Sequence, residues 1–223
     1  MRRLLPVLVL AAGCPVQTGT FSGENIGSTW PFDERSVWEY EADEGEGVDP
    51  TIGYHLRAVE REETEAVGGV TVHVIDFLID CFNFLGPCED ADGDDLQDGE
   101  GQTLFTWKMS SSREGVAFHQ WGDAVLDPPV IIADLLMKRS DTVESESGGI
   151  AFTGTFLGSE TCPAPSYWTN EETRPDCFRV DVTADAPSPV AGSYWSTAPI
   201  GPVGFQQEGG PRWELRDFET PDD

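Results

Sequence analysis

From Ser36 onward the chain alternates apolar and polar residues in short runs, with glycine and proline between them. Ser36-Val-Trp-Glu-Tyr-Glu and Ile52-Gly-Tyr-His-Leu-Arg-Ala-Val-Glu alternate apolar and polar residues. That period of two puts every second side chain on one face of a strand. Val70 to Asp80 is rich in β-branched residues, which suit a pleated, half-buried surface. Further strands are expected at 103–110, 114–121, 137–145, 149–158, 177–184, 192–197, 201–207 and 212–218. Gly68-Gly69, Gly148-Gly149, Pro187-Ser-Pro189 and Gly209-Gly210-Pro211 mark turns between them. Val130-Ile-Ile-Ala-Asp-Leu-Leu-Met follows Pro128-Pro129. Its apolar residues are consecutive, so it fits a buried strand or one or two helical turns equally well. The fold class predicted is all-β: an antiparallel, strongly curved sheet or partial barrel or sandwich, with at most one or two short helices.

Residues 1–14 have a different texture. Arg2 and Arg3 open the chain, Leu4 to Ala12 form a short apolar run, and Ala11-Ala12-Gly13 puts small residues directly before Cys14. This is the layout of a secretory signal peptide, too short for a permanent membrane span. With a cysteine after the small residues, it resembles the lipobox of bacterial lipoproteins, although Ala11 stands where that family usually has Leu and Leu10 lies one place further back. The resemblance implies that Cys14 is acylated and becomes the new N-terminus. It implies a protein of the cell envelope, lipid-anchored in the outer membrane on its periplasmic or surface face. Residues 15–29 lack periodicity and read as flexible. The expected organisation is a signal peptide (1–13), a lipidated tether (14–29) and a single β domain (30–223).

The 223 residues include 13 basic and 41 acidic side chains, for a net charge of −28. Loss of Arg2 and Arg3 with the signal peptide leaves 11 basic against 41 acidic. Nucleic acid is excluded as a partner, because phosphate binding needs clustered Lys and Arg. Electrostatic attachment to anionic lipid is excluded for the same reason, leaving membrane attachment to the N-terminal lipid. Seven Trp, twelve Phe and four Tyr supply a large apolar core, and the aromatics read as core ahead of a ligand box.

With Cys14 assigned to lipid, Cys81, Cys88, Cys162 and Cys177 remain. An even count in an exported chain implies disulfides, and four cysteines allow three connectivities. The local pairs Cys81–Cys88 and Cys162–Cys177 are expected, each bracketing a turn-rich insert. Neither pair has C-x-x-C spacing and no His lies close in sequence, which disfavours zinc.

Asp90-Ala-Asp92-Gly-Asp94-Asp95-Leu-Gln-Asp98-Gly-Glu100 carries acidic residues at relative positions 1, 3, 5 and 9. It resembles the Asp-rich loops of extracellular calcium-binding proteins. The resemblance implies calcium held by Asp90, Asp92, Asp94 and Asp98, with a Kd of roughly 10⁻⁴–10⁻³ M. Asp95 stands at the position usually given to a turn-making Gly, and Gly101 where such loops place a bidentate Glu. The other reading of these residues is a solvated acidic hairpin loop. No other cofactor is implied.

Trp38-Glu-Tyr40, Gly154-Thr-Phe156 and Tyr194-Trp-Ser-Thr-Ala-Pro-Ile-Gly-Pro-Val203 resemble, in that order, motifs of a loosely defined group of secreted bacterial β-proteins. The resemblance runs from residue 30 to 218 and implies a curved or partly closed antiparallel sheet with no established catalytic activity. The three histidines, His55, His73 and His119, sit inside alternating strands, and the chain has neither Gly-x-Ser-x-Gly nor His-Glu-x-x-His. The function expected is a non-catalytic display, interaction or structural module of the envelope, with an envelope protein as partner. The alternative is a carrier of an apolar small molecule in a curved β-sheet cavity.

Overall fold

A computed structural model describes residues 36–43, 52–61, 64–67, 69–83, 103–112, 115–134, 137–163, 176–197 and 200–219. Among them every regular element is a strand: β1 (Val37–Asp43), β2 (Ile52–Glu60), β3 (Glu65–Val67), β4 (Val70–Asn83), β5 (Thr103–Ser112), β6 (Gly115–Trp121), β7 (Ala124–Ala133), β8 (Thr142–Ser147), β9 (Ile150–Thr161), β10 (Asp176–Ala184), β11 (Gly192–Thr197), β12 (Gly201–Gln207) and β13 (Arg212–Glu219). Among the described residues no helix is long and apolar enough to cross a membrane.

The strands form one antiparallel sheet in the order β7-β6-β5-β4-β2-β1-β13-β12-β11-β10-β9-β8, with β3 folded back on β4. The order is nearly that of the chain itself. Each strand pairs with its sequence neighbour, and the first and last strands pair with each other, Trp38 opposite Phe218 and Ala42 opposite Trp213. The sheet therefore curls into an almost closed barrel, and the all-β expectation holds. Of strands next to each other around the barrel, only β7 and β8 share no backbone ladder among the described residues, although they run alongside each other.

Curvature comes from bulges, which add local twist and bend a sheet on itself. Register shifts occur between Glu39 and Tyr40 in β1, between Arg179 and Val180 in β10, and between Trp195 and Ser196 in β11. Against β10 the bulged strand is β9, whose extra residue is Leu157, and Gly158 takes φ +95°, a backbone conformation that a side chain would oppose.

Inside the barrel, alternation delivers what the sequence promised. Phe152, Gly154 and Phe156 of β9 are buried, while the residues between them are partly exposed. The centre is aromatic. Trp107 lies 4.4 Å from Phe77, 4.5 Å from Trp121, 5.0 Å from Phe205 and 5.3 Å from Phe118, ring centroid to centroid. These rings come from β4, β5 and β6 on one wall and β12 on the other, and most contacts are tilted or edge-to-face. Each such pair contributes about 0.5–1.5 kcal/mol beyond its buried area.

Two boundaries differ from expectation. Val130 to Ala133 complete β7, and among the described residues of 130–137 there is no helix. Pro128 and Pro129, expected to precede this run, lie inside β7. They are tolerated because Leu126 to Pro129 face no ladder partner on β6, so no hydrogen bond is lost with the missing N–H groups. The strand expected at 137–145 begins only at Thr142. The Lys138 amide donates to the Asp141 carboxylate (2.7 Å) and the Asp141 amide to the Lys138 carbonyl (2.8 Å), which turns the chain there.

Candidate functional site

Cys14, the tether, Cys88 and the acidic loop with Asp90, Asp92, Asp94 and Asp98 lie outside the described residues. Cys81 sits in β4 opposite Tyr54 by its backbone. The second expected disulfide is present: Cys162 and Cys177 are joined, with their Cα atoms 4.8 Å apart, at the facing ends of β9 and β10. Among the described residues no group of three His, Cys, Asp or Glu is placed to hold a metal ion.

Polar side chains gather at several places, among them two buried pairs and one aromatic-backed cluster. The first is inside the barrel, at the end of β2. The register that points Leu56 and Ala58 inward carries Glu60 inward as well, and Glu60 is 1 % exposed. His73, in line with Ile75 and Phe77 on β4, meets it with Nδ1 2.7 Å from Glu60 Oε1. A carboxylate taken out of water needs such a partner.

The second pair lies on the opposite face of the same wall. His119 falls at the irregularity where β6 shifts register against both β5 and β7. There its Nε2 lies 2.8 Å from Ser110 Oγ. Burial lowers the His119 pKa and favours the neutral ring. The distance is that of a nucleophile and its base. However, Ser110 is 3 % exposed, so a substrate carbon has no approach to the hydroxyl in this arrangement. The pair satisfies two buried polar side chains, and Val72 and Val74 on this face are buried too.

The third constellation is on the outer face of β9, β10 and β11, beside the disulfide. Arg179 donates to both carboxylate oxygens of Asp181 (2.8 and 3.1 Å) and to Ser193 Oγ (3.3 Å). Ser193 in turn donates to Asp181 (2.7 Å). The guanidinium lies over the Trp195 ring, 5.1 Å from its centroid, and the Trp195 indole N–H donates to Glu160 (2.5 Å). A bidentate, aromatic-backed guanidinium is held in one orientation. The cluster braces the strand ends from which the chain leaves at Cys162 and re-enters at Cys177. Gly204 completes it: an added Cβ there would press on the Trp213 carbonyl and on Pro163, the residue after the cysteine.

Sequence reasoning singled out neither this cluster nor the two buried pairs. Arg179 and Asp181 are two residues apart on one face of β10, which was visible in the sequence. Glu160, Ser193 and Trp195 join them only through the pairing of three strands. No family model, curated protein or solved structure matches this chain.

Proposed function

We propose that this chain is a cell-envelope lipoprotein, held in the membrane by lipid on Cys14, whose β domain is a non-catalytic display or interaction module. The observation that carries the reading is the Arg2-Arg3, Leu4–Ala12, Ala11-Ala12-Gly13, Cys14 layout. Residues 14–29 act as the tether and residues 30–223 as one domain. Several features of the barrel support the reading. Its centre is filled with aromatic side chains, and its buried polar pairs are engaged with one another. The braced, disulfide-joined ends of β9 and β10 offer a rigid base for the chain between Cys162 and Cys177.

The test is Cys14→Ala in the full-length protein. The wild type is expected in the membrane fraction with incorporated fatty acid, and the variant in the soluble fraction without it. Equal fractionation of the two would reject the anchor.

A second reading, a carrier for an apolar molecule, draws support from the nearly closed barrel with its apolar interior. Native mass spectrometry separates the two: co-purified lipid bound to the domain favours the carrier, and the mass of the chain with only its anchor favours the display module.

A further inference from the structure

We infer that this barrel opens locally at one place, the seam between β7 and β8, while the rest of the sheet stays paired. Every other pair of neighbouring strands in the cycle is joined by a backbone ladder, including β1 with β13. At the seam there is none. The contacts that close it are of another kind. Ser145 Oγ donates to the Ile131 carbonyl at 3.4 Å, near the outer limit of a hydrogen bond. The Ile132 carbonyl packs on the inner face of β9 at Gly154, so close that a Cβ on Gly154 would collide with it. The edge of β7 thus tucks beneath β8 and β9 and overlaps them.

Two features of the sequence keep the seam from zipping shut. β7 carries Pro128-Pro129, two consecutive residues with no N–H to donate. β8 reads Thr-Val-Glu-Ser-Glu-Ser, with Thr142, Glu144 and Glu146 exposed and Val143 its one apolar residue. Parting the seam breaks no ladder; it gives up one weak hydrogen bond and the packing of Val130 and Ile132 beneath β8 and β9. Removing any other strand breaks two ladders or unzips one from an end. Local openings follow the least costly boundary. The movement uncovers Val130 and Ile132, which are fully buried in the closed barrel. The inference does not depend on the lipid anchor or on the choice between display module and carrier.

Thiol labelling in the full chain tests it, with the wild type as background for its native cysteines. Ile132→Cys places a buried thiol at the seam, and Leu56→Cys places one equally buried in β2, which is laddered on both sides. The seam thiol is expected to react at least tenfold faster, at a rate that barely changes with low urea, whereas Leu56→Cys should follow global unfolding. Adding Gly154→Ala should speed the seam thiol further and leave the β2 thiol unchanged relative to global stability. Val130→Cys replaces Ile132→Cys if that variant does not fold. Equal rates with equal urea dependence at the two positions would overturn the inference, as would acceleration of both thiols alike by Gly154→Ala.

Discussion

The Tyr40 hydroxyl donates a hydrogen bond to the Pro202 carbonyl at 2.8 Å, joining residues 162 positions apart in the chain. Two residues earlier in β1, the Trp38 indole N–H donates to the Ile200 carbonyl at 2.7 Å. The inward side chains of β1 thus reach past β13 and hold the start of β12. The Trp-x-Tyr strand and the Pro-Ile-Gly-Pro-Val hairpin, separate motifs in the sequence, form one structure. Prolines cannot contribute an N–H to a ladder, and here the carbonyls of Pro202 and Ile200 each accept from an aromatic donor on β1.

Tyr40→Phe is expected to destabilise the protein by about 1–3 kcal/mol, because it leaves the Pro202 carbonyl buried without its donor and removes almost no apolar contact. Urea unfolding should show the midpoint falling at unchanged slope. No loss of stability would mean that the carbonyl finds another partner.

Alkali should weaken the fold through the same hydroxyl. Burial raises the pKa of Tyr40 and of Tyr194, whose hydroxyl donates to the Val190 carbonyl at 2.6 Å. The folded state therefore keeps protons that an unfolded tyrosine releases near pH ~10, so stability should fall as pH rises above that value. In thermal melts between pH 8 and pH 11, taken here only as a working range, the Tyr40→Phe/Tyr194→Phe variant should show a shallower decline than the wild type.

Acid acts through His119. Burial lowers its pKa, so in the folded state the ring resists protonation, whereas the unfolded chain takes up a proton near pH ~6.5. The contribution to stability is complete above that pH. It declines as pH falls from there toward the folded-state pKa and is constant below it. Replacing the ring by His119→Gln should flatten this part of the pH–stability curve. A curve of unchanged slope would assign the acid sensitivity to other groups.

The Cys162–Cys177 bond spans a sequence separation of 15. Closing a loop of that length restricts the unfolded chain by about 3 kcal/mol. The Cys162→Ala/Cys177→Ala variant is expected to lose stability of that order. Its Trp195 fluorescence environment should change too, since the indole and Arg179 are packed beside the joined strand ends. A variant as stable as the wild type would show that the surrounding ion pairs alone hold the ends.

Much of this fold was written in local pattern. The alternation in β1 and β2 predicted the strands, because a half-buried strand tends to switch polarity along its length. Val130 to Met137 was ambiguous for a physical reason. A consecutive apolar run has no period, and whether it ends as strand or turn depended on Asp141, which caps the turn, and on β6, which pairs with Val130 to Ala133. His119 looked like any strand histidine; its place at a double register shift, and so its Ser110 partner, came from the strands on either side.

By itself the sequence determined the all-β class and the aromatic composition of the core, since each depends on residues near one another in the chain; it allowed three cysteine connectivities, and the structure joins Cys162 to Cys177. The sequence also carries the Met1–Cys14 layout on which the anchor is proposed. Only the tertiary structure decided how the ends meet. Tyr40 finds Pro202, β1 closes on β13, and β7 slides under Gly154 without pairing with β8. These choices depend on accumulated twist and bulges summed over a dozen strands, a global quantity to which each residue contributes a little and which no local window contains.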